Sequence, residues 1–120
     1  MSNEKKEFNY RIKHIGINNQ DAEQANELLN QLTFYFDLVP QKDTPDKVFA
    51  GDIFEVQKHS RRGKNGHIAL QTDDVEASMA DLAAKGITFR EETIRRDENG
   101  RINFVYLTQE FGGFAIHLTS

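Results

Sequence analysis

Three of the four histidines, His14, His67 and His117, and one glutamate, Glu55, lie in segments where apolar and polar residues alternate. In Phe54-Glu55-Val56 and Ile116-His117-Leu118 the apolar neighbours point to one face and the donor to the other, as Ile15 and Ile68 do beside their histidines. Strands arranged so would aim four nitrogen and oxygen donors into one concave surface. Imidazole and carboxylate suit a divalent ion (Zn, Ni, Co, Mn or Fe), whereas the absence of cysteine disfavours Cu(I) and iron–sulfur clusters. A single strand histidine is more often a partly buried residue with its hydrogen bonds satisfied than a ligand. Three at equivalent positions of a repeat favour a metal, with a metal-free polar cleft as the other reading. His59 falls in a polar connector and reads as solvated.

Other residues could serve such a cleft. Tyr106 shares a strand face with Phe104; an aromatic row is usually core, but the Tyr106 hydroxyl could reach a ligand. Glu110, just before Phe111-Gly112-Gly113, is either a turn carboxylate or an acid or base near the site. Arg61, Arg62 and Lys64 could steer an anionic substrate, although charges in a glycine-containing loop usually mark a solvated connector. Phosphate-cradling glycine loops, a Ser-His-Asp constellation and HExxH are all absent.

The elements that must position these residues can be read from periodicity. Arg11–Asn18 alternates as a strand, and Ala22, Ala25, Leu28, Leu29 and Leu32 recur at helical spacing behind Asp21, predicting a helix over about 20–34. The stretch 34–47 carries both prolines and allows at most a short edge strand. Strands follow at 48–50 and 52–58, parted by Gly51. HSRRGKNG at 59–66 is an exposed connector. A strand at 67–72 then leads to a helix over 73–85, with Val75, Met79 and Leu82 inward and Gly86 as its stop. Strands at 88–95 and 101–108 flank the hairpin signal Asn99-Gly100, and 114–119 closes the chain.

The second half repeats the first. A shift of 53 residues sets His14 on His67, Ile15 on Ile68, Asp21 on Asp74, Glu23 on Glu76 and Leu29 on Leu82. Both copies run strand, helix, three strands, and the longer hairpin of the second puts Glu55 opposite His117 at a shift of 62.

Composition bounds the rest. With 120 residues, 38% of them hydrophobic and nine of them Phe, the chain can bury one core but not two independent ones. Nineteen acids against fifteen bases leave −4, so no basic excess draws nucleic acid or an anionic membrane. The N-terminus is polar and no apolar run is long enough to span a bilayer, so a cytoplasmic protein is expected. Residues 1–10 read as a polar tail, 11–58 as module one, 59–66 as the connector and 67–119 as module two.

With His14 in KHIGI, Glu55 in DIFEV, His67 in GHIAL and the closing GGFAIHL, the chain resembles the vicinal oxygen chelate superfamily of glyoxalase I, bleomycin-resistance proteins and extradiol dioxygenases. The resemblance spans residues 11–119. It implies an α+β fold in which two βαβββ modules form a curved mixed sheet with a cleft, helices outside. It also implies a divalent metal ion held by His14, Glu55, His67 and His117, and a lyase or isomerase acting on a small anionic substrate. His117 stands where the usual closing motif has a glutamate that is both ligand and proton shuttle, so Glu55, His117 and Glu110 are the candidate catalytic groups. HIAL, ENGR and YLTQEFGGFAIHL are further similar to the glyoxalase-like domain fused to ketodeoxyphosphogluconate aldolases, which implies 2-oxo or 2-hydroxy acids as ligands. A ligand-binding module of the bleomycin-resistance type is the alternative. Short single-domain members of this superfamily commonly pair, so a homodimer is expected.

Overall fold

A computed structural model describes residues 8–120, and the expected repeat is its organising feature. Module one comprises β1 (Arg11–Ile17), α1 (Ala22–Phe36), β2 (Pro40–Gln41), β3 (Lys47–Ala50) and β4 (Phe54–Gln57). Module two comprises β5 (Gly66–Gln71), α2 (Val75–Ala84), β6 (Phe89–Arg96), β7 (Ile102–Phe111) and β8 (Phe114–Thr119). One eight-stranded mixed sheet runs β2-β3-β4-β1-β5-β8-β7-β6, a palindrome about the β1–β5 junction. β1 pairs parallel with β4 and β5 parallel with β8, while β1 and β5 meet antiparallel. Both modules therefore share one continuous sheet.

Both helices start where the sequence places an aspartate. Asp21 and Asp74 stand in extended conformation ahead of their helices and accept hydrogen bonds from the Gln24 and Ala77 amides, and Glu23 and Glu76 lie in the positive first turns. α1 runs two residues past its expected end and is terminated by Asp37 in the left-handed conformation (φ 58°), whose amide donates to the Thr33 carbonyl. The two prolines leave β2 as a two-residue edge strand. β7 ends three residues later than expected and turns into β8 through Gly112 and Gly113, both at positive φ.

Each module has its own apolar cluster. Ala25 of α1 packs with Val48, Ala50 and Val56, with Leu28, Leu29, Leu32 and Phe54 around them. Val75 of α2 packs with Val105, Leu107 and Leu118, joined by Met79 and Leu82 as the periodicity requires. Both helices thus cover one face of the sheet, and the opposite face stays open to hold polar groups. The end of the expected tail is tied to module two, since the Phe8 carbonyl accepts from the Thr72 hydroxyl and the Asp73 amide. Residues 1–7 lie outside the described residues. Among those described, no helix is long and apolar enough to cross a membrane.

Candidate metal centre

Strand register assembles the site. Directly paired residues share a sheet face, as do residues two apart on one strand. Gly16 of β1 pairs with Glu55 of β4 and with His67 of β5, and Ala69 of β5 pairs with His117 of β8 and with His14 of β1. These six residues therefore occupy one face at the junction of the modules, related by the same shifts of 53 and 62 that the sequence shows. Ile15 and Ile68 pair with each other on the opposite face.

The four polar side chains converge. His14 Nε2 lies 3.2 Å from His67 Nε2, and the Glu55 oxygens lie 3.4 Å from His14 Nε2 and 3.5 Å from His67 Nε2. One ring nitrogen from each of His14, His67 and His117 falls within 4.8 Å of the others. His67, His117 and Glu55 are buried, and His14 is partly so.

The donor set fits a divalent ion. Nitrogen and oxygen ligands bound tetrahedrally at ordinary zinc distances are roughly 3.3 Å apart, close to the spacings among His14, His67 and Glu55. Three neutral imidazoles and one carboxylate are also a chemically suitable set for Zn or a neighbouring first-row ion. Among the described residues, the Nδ1 atoms of His67 and His117 are buried without a hydrogen-bond partner, while Nε2 of His67 is the nitrogen turned toward His14 and Glu55.

Electrostatics keeps the imidazoles available as donors. Burial holds His14 and His67 below their ordinary pKa despite the opposing charge of Glu55. His117 is pushed down to about 3, by burial first and then by His67 and His14. A neutral imidazole presents a lone pair, so at neutral pH no proton competes with a cation at His117.

Several contributors escape sequence reasoning. Gln57 donates to Glu55 Oε1 and is itself buried, and Lys47 Nζ lies 3.6 Å from Glu55 Oε2; together they orient the carboxylate and partly balance its charge. Gly16 acts by leaving room, since a Cβ there would lie 2.1 Å from Cε1 and 2.3 Å from Nδ1 of His67. The signal was present, since Gly16 lies two residues after His14 as Ala69 does after His67, leaving a small residue beside each imidazole. Asn18 fastens the connector by accepting from the Arg61 amide and donating to the Gly63 carbonyl, so this segment is held in place and brings Arg61 and Arg62 to the cleft.

The cleft has a volume of about 480 Å³. The histidines and Glu55 line it with Phe104, Tyr106 and five basic residues, Lys13, Lys47, Arg61, Arg62 and Arg95, against the acids Asp46 and Glu55. Phe104 packs on the His117 ring at 4.5 Å between centroids, and Tyr106 approaches it at 5.0 Å. Tyr106 thus faces the cleft, and burial raises its pKa. Glu110 is not among the cleft-lining residues. It lies within β7 rather than in the turn after it, and its carboxylate accepts from the Lys64 amide at 3.3 Å. His59 pairs with Asp46 at the surface.

Fold comparison agrees with this architecture. Among solved structures, Streptomyces coelicolor methylmalonyl-CoA epimerase, in a variant complexed with 2-nitronate-propionyl-CoA, superposes with a TM-score of 0.56 at 20% identity, covering 90% of this chain and 94% of that one. Mycobacterium tuberculosis methylmalonyl-CoA epimerase gives 0.56 at 16% identity over 90% and 85%. A hypothetical protein of Bacillus halodurans gives 0.59 at 15% over 92% and 94%. No family model matches the chain, and no curated protein matches it in sequence. The chain shares the fold of these solved structures.

Proposed function

We propose that this protein is a divalent-metal-dependent isomerase or lyase of vicinal oxygen chelate type, acting on a small anionic substrate that presents two neighbouring oxygens. The observation that carries this reading is the convergence of His14, His67, His117 and Glu55 on the floor of a cleft with a basic surround. The fold shared with two methylmalonyl-CoA epimerases supports isomerase-type chemistry, in which a proton leaves and returns at a carbon beside a carbonyl. The proposed substrate class, 2-oxo or 2-hydroxy acids, rests on the sequence resemblance and on the excess of basic groups around the cleft.

His14, His67, His117 and Glu55 would hold the ion, which supplies a Lewis acid for negative charge developing on a substrate oxygen. The chain's own residues do the remaining work. Glu55, oriented by Gln57 and Lys47, is the carboxylate nearest the reacting region and is the group proposed to move the proton. Phe104 and Tyr106 pack against His117 and keep bulk water from that side of the centre, and Tyr106 offers a hydroxyl to the bound acid.

Calorimetric titration of metal-loaded protein with a 2-oxo acid, its 2-hydroxy analogue and the plain acid tests the reading. The first two should bind on the order of tenfold or more tightly than the third, because only they close a chelate ring, and the difference should vanish on metal removal. Equal binding of all three acids would sink the chelation reading. Deuterium incorporation beside the carbonyl, followed by NMR in heavy water, tests the isomerase step. Chelated binding without exchange would favour a ligand-sequestering module.

We also propose a homodimer, which the exposed apolar strip of Phe34, Tyr35 and Phe36 at the end of α1 and Val39 just after it supports. Sedimentation equilibrium at tens of micromolar is expected to give twice the 13.8 kDa chain mass, and a monomer at that concentration would refute the pairing.

A further inference from the structure

Two cleft arginines are placed in an unusual way. Arg62, in the connector, holds its guanidinium over the Tyr106 ring at 4.9 Å, and Arg95, on β6, holds its own over the Phe104 ring at 4.5 Å. The two rings are 5.6 Å apart and line the cleft together with both arginines. Stacking on a ring face leaves the in-plane N–H donors of a guanidinium unused. Three other arginines spend theirs on carboxylates, Arg11 on Asp73, Arg61 on Asp46, and Arg101 on Asp74 and Glu76, and Arg96 spends its own on the Gly100 carbonyl. Among the described residues, Arg62 and Arg95 have no such partner. Arg62, Arg95 and Arg61 all act on Tyr106, with Glu55 opposing them, which places these charges around one part of the cleft.

Two stacked guanidinium groups without counter-ions form a fork-shaped receptor for an oxyanion, since each can donate two parallel hydrogen bonds to a carboxylate or phosphate. Both rings beneath them abut His117, so this receptor is a short span from the histidine–glutamate centre. We infer that the substrate carries a second anionic group, a carboxylate or a phosphate, which Arg62 and Arg95 grip while the first acid and its neighbouring oxygen lie at His14, Glu55, His67 and His117. This deepens the proposed function and rests on it for the placement of the first acid. The stacked arrangement also holds the arginine side chains ready, so less freedom is lost when the anion arrives.

The test is calorimetric titration of metal-loaded wild-type, Arg62→Gln, Arg95→Gln and Lys64→Gln proteins with pyruvate, the 2-oxo diacids of four, five and six carbons, glutarate, and a 2-oxo acid ending in phosphonate. One of the diacids or the phosphonate should bind about tenfold or more tightly than pyruvate, and each arginine variant should erase that advantage while leaving pyruvate unchanged. Lys64 lies outside the cleft lining, and its variant should behave as wild type. The chain length that binds best measures the span, and the phosphonate against the carboxylates identifies the preferred group. Equal affinity for pyruvate and every two-headed acid would overturn the inference, as would arginine variants that weaken pyruvate and diacids alike. Glutarate separates the two proposals. If it binds as well as the five-carbon 2-oxo diacid and loses affinity in the arginine variants, the anion receptor stands and the chelating centre falls.

Discussion

His67→Ala is expected to reduce bound divalent metal from one ion per chain to nearly none, with unchanged far-UV circular dichroism. His67 lies against all three other donors: its Nε2 is 3.2 Å from His14 Nε2 and 3.5 Å from Glu55 Oε1, and its ring stacks toward His117 at 5.7 Å. Removing it leaves His14, Glu55 and His117 as the only donors of the set. Loss of one of four ligands removes most of the affinity, so dialysis should strip the variant where wild-type protein keeps its ion. The fold should survive, because the Gly16–His67 pairing in the sheet is made by backbone atoms and Ile68 keeps its place on the opposite face. Elemental analysis after dialysis against Zn, Ni, Co and Mn is the measurement. A variant that retains wild-type stoichiometry, or wild-type protein that takes up none of these ions, would refute the centre.

Gly16→Ala should do nearly as much damage without touching a donor atom. The added methyl would stand 2.1, 2.3 and 2.9 Å from three atoms of the His67 ring, against an ordinary carbon contact of about 3.5–4 Å, so the imidazole must leave its position. Metal affinity should fall by a hundredfold or more, and overpacking of this kind costs on the order of 1–3 kcal/mol of stability. The cause can be isolated by a double-mutant cycle. In the His67→Ala background the ring is gone, so Gly16→Ala should then be close to neutral in chemical denaturation. An equal loss of stability in both backgrounds would mean that Gly16 serves the backbone and not the ring.

These effects show where sequence reasoning was strong and where it ended. Alternation placed His14, Glu55, His67 and His117 opposite the apolar rows because a strand has only two faces. The shift of 53 then implied that two faces would be equivalent, and the palindromic sheet order is the realised form of that repeat. Asp21 and Asp74 marked the helix starts because a short side-chain acceptor before an apolar period has few other uses. Glu110 was harder, since its place in the sheet depends on β7 running on to Phe111, and strand length is set by pairing with β8, which no local pattern encodes.

What the sequence determined by itself was therefore periodic: two copies of one module, their element order, the face on which each donor lies, and a chemistry limited to imidazole and carboxylate by the lack of cysteine. What only the tertiary structure decided was relational. The antiparallel meeting of β1 and β5 puts both modules' donors into one chain's cleft, Gly16 clears the space for His67, Gln57 and Lys47 orient Glu55, and Asn18 and the β6 strand bring Arg62 and Arg95 over Tyr106 and Phe104. The physical reason is range. Periodicity is fixed by sterics within a few residues, whereas contacts such as Gly16 with His67 join residues far apart in the chain, and depend on register and packing that are settled only when the sheet closes.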